Sequence, residues 1–208
     1  MNKASLAVAV LILSCGAARA DNTGWYAGIN AGASRLGMSG TDINGALANQ
    51  GINGASTNLH TTDKAAGLEI GYRMSEHFGV EGGYEYLGKF KYDSTAGATT
   101  INGKYKAQAL SLAALGFIPF SSSLSFYAKG GFQYNTVDLN ASSSSAAVPV
   151  SGKSESRAGW LAGLGLKYEF DNGVYTRVGW DHYAHVGVNG TTGTTAIDLF
   201  QVGLGMKF

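Results

Sequence analysis

The most constraining feature of the sequence is its last segment, AIDLFQVGLGMKF, which alternates between large apolar and polar or small side chains up to the final residue. The apolar parity comprises Phe200, Val202, Leu204, Met206 and Phe208. A period of two residues is typical of a β-strand with one apolar face. Because the terminal residues of soluble domains usually fray, this pattern indicates a structural strand. In a closed barrel it would pair with the first strand.

Seven further segments show the same period, which gives eight predicted strands. They span residues 25–34, 64–74, 78–87, 104–117, 124–136, 158–170, 174–184 and 196–208. The fourth segment changes parity after Leu112, so that Leu115 and Phe117 join the apolar face. A β-bulge near Ala113 or Ala114 would absorb this change. No helical periodicity lies between the segments, which argues against a parallel α/β fold.

The connectors between these segments alternate in length. Short turns, SEH, IPFSSS and DNG, follow the second, fourth and sixth segments. Long polar stretches at residues 36–62, 91–103, 140–156 and 187–195 follow the others. Short turns on one side and long loops on the other are typical of outer-membrane barrels, whose long loops face the outside of the cell.

The apolar parity also separates its aromatic residues into two groups. Those expected at the short-turn end are Trp25, Tyr72, Phe78, Phe117, Phe126, Tyr168 and Phe208, and those toward the loop end are Tyr84, Tyr86, Tyr134, Trp160, Trp180 and Phe200. Two aromatic girdles of this kind mark the two interfaces of a membrane. A soluble β-sandwich would instead bury its aromatic residues in the middle of its strands. The pattern therefore predicts an all-β, eight-stranded antiparallel transmembrane barrel.

The opposite parity is polar and rich in glycine. Its polar members are Asn30, Glu69, Arg73, Glu81, Glu85, Lys129, Gln133, Lys167, Arg177, Asp181, Gln201 and Lys207. The lumen of an eight-stranded barrel is only wide enough for side chains. Apart from Arg73, four acids face four bases there, so we expect charges that pair with one another once water is restricted. Glycines of the same parity would make room for the long side chains.

The first twenty residues predict a cleaved secretory signal peptide. Lys3 precedes the apolar stretch 6–13, and the A-x-A pattern at 18–20 places cleavage before Asp21. The barrel domain would then span residues 21–208, with 13 bases, 14 acids and no cysteine. Such a balance does not indicate nucleic-acid binding. An alternative is that ILSC, residues 12–15, is a lipoprotein site with Cys15 lipidated.

Five motifs resemble one known family. The segments DNTGWYAGINAGAS, FGVEGGYEYLG, GKYKAQALSL, FYAKGGFQY and YTRVGWDHY are similar to the OmpA-like transmembrane domain of Gram-negative outer membranes, over essentially all of residues 21–208. The resemblance implies an integral outer-membrane barrel among outer-membrane lipids and lipopolysaccharide. It also implies that Phe208, with Met206 and Leu204 before it, is the signal read by the outer-membrane assembly machinery.

In this family some barrels conduct ions weakly when an internal salt bridge opens. The resemblance places that bridge at Glu81 and Arg177, on strands that lie opposite each other in an eight-stranded ring. The alternative is that the pair only neutralises buried charge. The family's second lumen pair is not kept, because Ala113 or Ala114 stands in place of its base and Lys167 in place of its acid. The candidate partners of Lys167 are Glu81, Glu85 and Asp181, and Glu69 and Lys129 complete the predicted charge network.

The sequence predicts no catalytic residue, cofactor or metal site. His182 and His185 fall near the outer leaflet, where some eight-stranded barrels hydrolyse lipid A with a histidine-activated serine. The residues two positions after them are Ala184 and Gly187, so the His-x-Ser pattern of those enzymes is absent. We expect polar side chains at the headgroup level instead.

The predicted function is therefore structural, with long loops that meet host surfaces or phage. The chain stops after the eighth segment, so we expect no peptidoglycan-binding domain. Two other functions stay open, a narrow ion pore gated by Glu81 and Arg177, and a lipid A-modifying enzyme.

Overall fold

In the computed structural model of the chain, the described residues are 23–49, 51–145, 152–188 and 193–208. Their elements are β1 (Gly24–Leu36), α1 (Gly40–Ala48), β2 (Ser56–His60), β3 (Thr62–Arg73), β4 (Phe78–Ala96), β5 (Thr99–Pro119), β6 (Leu124–Ser143), β7 (Lys153–Glu169), β8 (Val174–Val186) and β9 (Thr195–Lys207). No helix in these ranges is long and apolar enough to span a membrane. The predicted signal peptide and Cys15 lie outside the described residues.

Eight strands close into one antiparallel ring in the order β1, β3, β4, β5, β6, β7, β8, β9, and β9 pairs back onto β1. That last pairing begins with Lys207 opposite Tyr26, and beyond it the Phe208 N–H donates to the Trp25 carbonyl over 2.9 Å. A closed ring pairs every strand and leaves no edge, as the hydrocarbon of a membrane requires. The predicted eight-stranded barrel, closed by its last strand, is confirmed.

Each ring strand presents one face to the outside and one to the lumen. On β9, Val202 and Leu204 are 60% and 55% exposed on the outside, while Gln201 is buried in the lumen. On β3, Leu68 and Ile70 face outward in the same way. An apolar surface that surrounds the whole molecule is expected only where lipid covers it.

The two predicted girdles lie on this outer surface, with one exception. Phe117 is 3% exposed and points into the lumen, where the Arg73 guanidinium lies 4.3 Å from its ring centroid. The sequence-based assignment of Phe117 to the outer face was therefore wrong. Ile118 and Phe120 are the exposed residues at this end of β5.

The misassignment arose because β5 does not change parity. Its odd-numbered side chains face the lumen from Ile101 to Phe117, and its pairing with β6 is uninterrupted. The bulge expected near Ala113 or Ala114 is absent from β5. Register shifts occur instead in β4, between Tyr86 and Gly88, and in β8, between Tyr183 and Val186. Parity was misread because Leu115 and Phe117 are apolar residues that face the lumen.

The short turns are confirmed, but one predicted long loop is mostly strand and a second is strand at both of its ends. Residues 91–103 continue the β4–β5 hairpin, which reverses at Gly97 with a φ of 58°. Residues 140–143 and 153–156 belong to β6 and β7, while 146–151 are outside the described ranges. The strands therefore extend beyond the outer girdle, and β2 pairs with this extension of β4. Their polar composition resembles that of loops, so the prediction missed them.

The connector after β1 contains α1, which the sequence analysis did not predict. Ser39 and Asp42 form a reciprocal capping box at its start. Leu47 is its buried residue and belongs to a small cluster with Tyr92 and Ile101 of the hairpin extension. Nine residues are too few for a clear helical period, and tertiary packing therefore stabilises the helix.

Candidate functional site

The lumen is filled by side chains in three layers. Toward the loop end lies an apolar layer, which comprises Leu36, Ala65, Leu87, Phe90, Tyr105, Ala107, Val137, Leu161, Tyr183, Val186, Ile197 and Leu199. Ala109 and Ala113 belong to the same cluster but lie directly opposite Glu85 and Glu81 of the next layer. Below it lies a charge layer of Glu69, Glu81, Glu85, Lys129, Arg177 and Asp181. A basal layer of Tyr26, Arg73, Phe117, Lys167, Glu169 and Tyr175 lies toward the short turns.

Arg177 is the centre of the charge layer. Its Nη1 donates to Glu81 Oε2 over 2.9 Å, and its Nη2 pairs with Glu69. Tyr26 donates to the same Glu81 oxygen over 3.0 Å, and Tyr175 donates to Glu69 over 2.8 Å. The two residues predicted as a gate are therefore in contact, but each has further partners. A guanidinium suits this arrangement because its planar donors can serve two carboxylates.

Lys129 continues the network on the other side of Glu81. Its Nζ lies 2.8 Å from Asp181 Oδ2 and 3.5 Å from Glu81 Oε1. The Gln201 amide donates to Asp181 over 2.5 Å. Glu81 therefore lies between two cations, whereas Glu69 depends on Arg177 and Asp181 depends on Lys129.

Glu85 is the least compensated member of the charge layer. It accepts a hydrogen bond from Asn30 Nδ2 over 2.6 Å, and among the described residues no lysine or arginine lies within 4 Å of it. The charge layer contains four carboxyl groups and two cations. The charge balance predicted for the whole lumen therefore does not hold within this layer.

Lys167 is not paired with any of its three predicted partners. Its Nζ lies 3.0 Å from Glu169 Oε1, and it stacks over the rings of Tyr26 and Tyr175 at 4.6 and 4.1 Å. Arg73 shares the same carboxylate at 2.9 Å. The prediction was wrong because Glu169, two residues along the same strand and on the same face, is nearer than the charge layer. The rings of Tyr26 and Tyr175 separate Lys167 from the charge layer.

Glycines of the inner face make room for these side chains. A Cβ at Gly67 would overlap the Glu85 carboxylate, and one at Gly163 would overlap Asp181. Gly71 faces the ring of Tyr26 in the same way. Each of these glycines lies on the strand next to the one that carries the large side chain. The glycines therefore determine where long side chains can lie across the narrow lumen.

The apolar layer closes the lumen above the charges. Leu87, Val186 and Leu199 have no measurable exposure, and Phe90 is 1% exposed. Below it, a cavity between the charge and basal layers has a volume of about 10 Å³, the size of a single water. At these two levels, side chains of the described residues fill the lumen.

The two predicted histidines lie on the outer surface at the loop end of β8. His182 Nδ1 is 2.8 Å from Asp198 Oδ1, between the rings of Trp160 and Trp180. His185 occupies the β8 bulge with a φ of 58°. No serine hydroxyl in the described part of the chain hydrogen-bonds to His182. In the same ranges, no three His, Cys, Asp or Glu side chains are grouped to hold a metal ion.

Several site residues were missed from the sequence. Tyr26 and Tyr175 have the lumen parity, but only glycines and strongly polar residues were expected on that face. The apolar layer was missed for the same reason, since Leu161, Ile197 and Leu199 were not counted as lumen residues. Glu169 has the same parity and a carboxylate, so its position next to Lys167 on that face was a signal that could have identified it. The proposed assembly-signal residues Leu204, Met206 and Phe208 lie on the exposed outer face of β9 and beyond its end.

Comparison with known proteins gives one consistent family. Residues 19–208 match the OmpA-like transmembrane domain. The chain is 29% identical to outer membrane protein A of Serratia marcescens over 212 residues, and 30% identical to that of Salmonella typhi over 216 residues. Both alignments cover 100% of this chain and 56% of the relative. The chain thus spans about half the length of the curated relatives it matches.

Solved structures share the fold at low sequence identity. Neisserial surface protein A aligns with a TM-score of 0.57 and 15% identity, covering 88% of this chain and 97% of the other. OprG of Pseudomonas aeruginosa aligns with a TM-score of 0.58 and 14% identity, covering 91% and 98%. At these identities the likeness shows the barrel fold alone.

Proposed function

Since the chain belongs to the OmpA-like transmembrane domain family, we propose that it stabilises the cell envelope and presents its strand extensions as an interaction surface, with a lumen that is a plug. It is an outer-membrane protein of a Gram-negative bacterium with a structural and surface role. The finer assignment rests on one observation, the apolar layer that covers the charge layer.

The apolar layer argues against conduction because a layer of buried apolar side chains disfavours hydrated ions. Moving an ion through it would cost far more than breaking one salt bridge. Opening the Glu81–Arg177 contact would also leave Arg177 paired with Glu69 and Glu81 close to Lys129. The alternative function, a narrow pore gated by that pair, therefore requires movement of the apolar layer as well.

The surface role is supported by the extension of β4, β5, β6 and β7 beyond the outer girdle. Packing of α1 against Tyr92 and Ile101 gives this extension a core of its own. An ordered extension can present a defined surface, with little ordering entropy lost on binding. Host surfaces and phage are the proposed partners of this region, and the assembly machinery is the proposed reader of the last strand.

An enzymatic role has less support. His182 has a carboxylate partner in Asp198, which would orient an imidazole base. A nucleophile is needed as well, and the histidine is instead packed between two indole rings at the expected headgroup level. Aromatic and polar side chains are common at this depth for anchoring alone.

The test is planar-bilayer conductance of the refolded chain beside Glu81→Ala and Arg177→Ala, with folding verified by a heat-dependent gel shift. We expect no discrete openings in any of the three. Openings whose size or frequency changes in the variants would contradict the plug and support the gated pore. Lipid A of cells that overexpress the chain should also stay unmodified.

A further inference from the structure

Four lysines form one patch on the outer face of the β4–β5 hairpin. Lys89 lies directly opposite Lys106, and Lys91 lies directly opposite Lys104. All four side chains point away from the barrel axis, because the residues between them, such as Phe90 and Tyr105, are buried inside. The lysine patch is thus a two-by-two array of ammonium groups on neighbouring strands.

Such an array is unfavourable by itself. Like charges directly opposite each other in an antiparallel pair repel across about 5 Å between their Cβ atoms. Three acids adjoin the patch. The Asp138 carboxylate lies 3.9 Å from Lys106 Nζ, Asp63 Oδ2 accepts from the Lys89 backbone N–H over 2.6 Å, and Asp93 follows Lys91 on the same face of β4. Three acids do not fully neutralise four lysines, so the patch keeps a net positive charge that an anion would offset.

A groove adjoins the patch. Its volume is about 570 Å³, and its lining includes Lys89, Lys104 and Lys106 together with Lys153. Asp138 and Asn140 also line it, so it offers an amide and one carboxylate beside the ammonium groups. A concave site of this size admits a charged sugar or phosphate headgroup.

The height of the patch on the barrel indicates what kind of anion it meets. The girdle residue Tyr84 donates to Gln108 over 3.1 Å, and Lys106 is the next outward residue beyond Gln108 on β5. Two residues of strand place Lys106 about 7 Å above that level. The patch therefore lies just outside the girdle, faces sideways, and is level with the headgroups of the outer leaflet.

Across the ring from the hairpin, Asp198 of β9 contacts His182 of β8 and lies directly opposite Arg35 of β1. These charges compensate one another, whereas the lysine patch has fewer carboxylates than ammonium groups.

We infer that the lysine patch is a binding site for the phosphate groups of the glycolipid of the outer leaflet, the lipid A portion of lipopolysaccharide. The inference rests on the proposed envelope function and assigns a specific binding site to the surrounding lipid. Ammonium groups bind phosphate as charge-assisted donors, and the neighbouring outer leaflet supplies these phosphates from the side that the lysines face.

The test is titration of the refolded full chain in zwitterionic micelles with fluorescent lipid A, either bisphosphorylated or dephosphorylated. Variants are Lys89→Gln, Lys106→Gln and the double substitution. Arg35→Gln is the control, since it removes an exposed cation of β1, two strands away from the patch. We expect the double substitution to weaken binding of the bisphosphorylated lipid by about thirtyfold. The original chain and the three lysine variants should bind the dephosphorylated lipid equally weakly. Arg35→Gln should bind both lipids as the original chain does.

The proposal is overturned if Arg35→Gln loses as much affinity as the double substitution, or if phosphate removal from the lipid has no effect. Millimolar inorganic phosphate that displaces the lipid completely would assign the patch to a free anion, and preferential binding of a soluble sulfated polysaccharide would assign it to a cell-surface glycan. Conductance in planar bilayers would contradict the proposed plug without changing this affinity difference, so the two failures are distinguishable.

A second measurement uses the repulsion within the patch. In phosphate-free micelles, Lys89→Gln should raise the unfolding midpoint slightly, because it removes one of two opposed ammonium groups. With bisphosphorylated lipid A added, the original chain should instead have the higher unfolding midpoint. If Lys89→Gln has the higher midpoint both with and without the lipid, the proposed site is contradicted.

Discussion

Glu81 on β4 and Arg177 on β8 meet across the lumen from opposite sides of the ring, with the guanidinium donating to the carboxylate over 2.9 Å. Both side chains are at most 5% exposed. Because Arg177 also neutralises Glu69, it is the cation on which two buried carboxylates depend.

We expect Arg177→Met to destabilise the barrel by about 3–5 kcal/mol, since it leaves the buried Glu69 without a cation and Glu81 with Lys129 alone. The measurement is urea unfolding of the chain refolded in vesicles. Arg35→Met serves as the control because it removes an exposed arginine from the outer face. Equal unfolding midpoints for the two variants would contradict a stabilising role of the charge layer.

The apolar layer, and not the salt bridge, should decide whether ions pass. We expect Arg177→Ala to remain closed in planar bilayers, whereas the triple variant Leu87→Ser, Leu199→Ser, Arg177→Ala should show discrete openings. Both leucines are fully buried in the layer, and their replacement would admit water. Conduction by Arg177→Ala alone would disprove this division of roles.

Gly71→Ala should destabilise the chain by about 1–3 kcal/mol through overpacking, because its Cβ would overlap the ring of Tyr26. That ring is held by its hydrogen bond to Glu81 and by Lys167 above it, so it cannot move aside without losing them. Gly130→Ala is the matched control, since nothing lies within 4 Å of a Cβ there. The measurement is the urea unfolding midpoint of each variant. Equal midpoints for Gly71→Ala and Gly130→Ala would show that the space beside the Tyr26 ring does not contribute to stability.

The start of α1 should be sensitive to acid. Hydrogen bonds from the Ser39 hydroxyl and backbone N–H hold the pKa of Asp42 below its usual range. A depressed folded pKa stabilises the helix above about pH 4, and this contribution is lost as the pH falls through the folded value. NMR shifts of α1 should therefore change below about pH 4 and not between pH 5 and 7.

Ser39→Ala should weaken the helix by about 1 kcal/mol and lessen that acid transition. Thr41→Ala in the same exposed turn is the control and should keep it. An unchanged acid transition in Ser39→Ala would contradict the capping box as its cause.

Phe208→Ala should lower the amount of the chain in the outer membrane of cells while leaving its refolding into vesicles unchanged. The backbone N–H of Phe208, which bonds to Trp25, is retained in the variant, so closure of the ring does not depend on the ring of the phenylalanine. Phe200→Ala, on the same face of β9 at the other girdle, is the control. Equal outer-membrane levels of the two variants would contradict an assembly signal at Phe208.

The sequence by itself determined the barrel, because a period of two is a local property of each strand. Alternation placed Glu69, Glu81, Arg177 and Asp181 in the lumen and Val202 and Leu204 on the outside, and the unequal connectors gave the direction of the strands. The contact of Glu81 with Arg177 was also predictable, since an eight-stranded ring places their strands opposite each other.

Only the tertiary structure decided which lumen charges pair and what closes the lumen. Lys167 pairs with Glu169, because the rings of Tyr26 and Tyr175 separate it from the charge layer. Among the described residues Glu85 lies without a nearby cation, since Lys129 and Arg177 pair with the other three carboxylates. The alternation of a strand shows which face a side chain lies on. It shows neither how deep in the lumen the side chain lies nor which residue it contacts. Those follow from the register between strands and from the glycines that leave room beside each side chain. The apolar layer and the lysine patch are assembled from several strands, so only the closed ring reveals them.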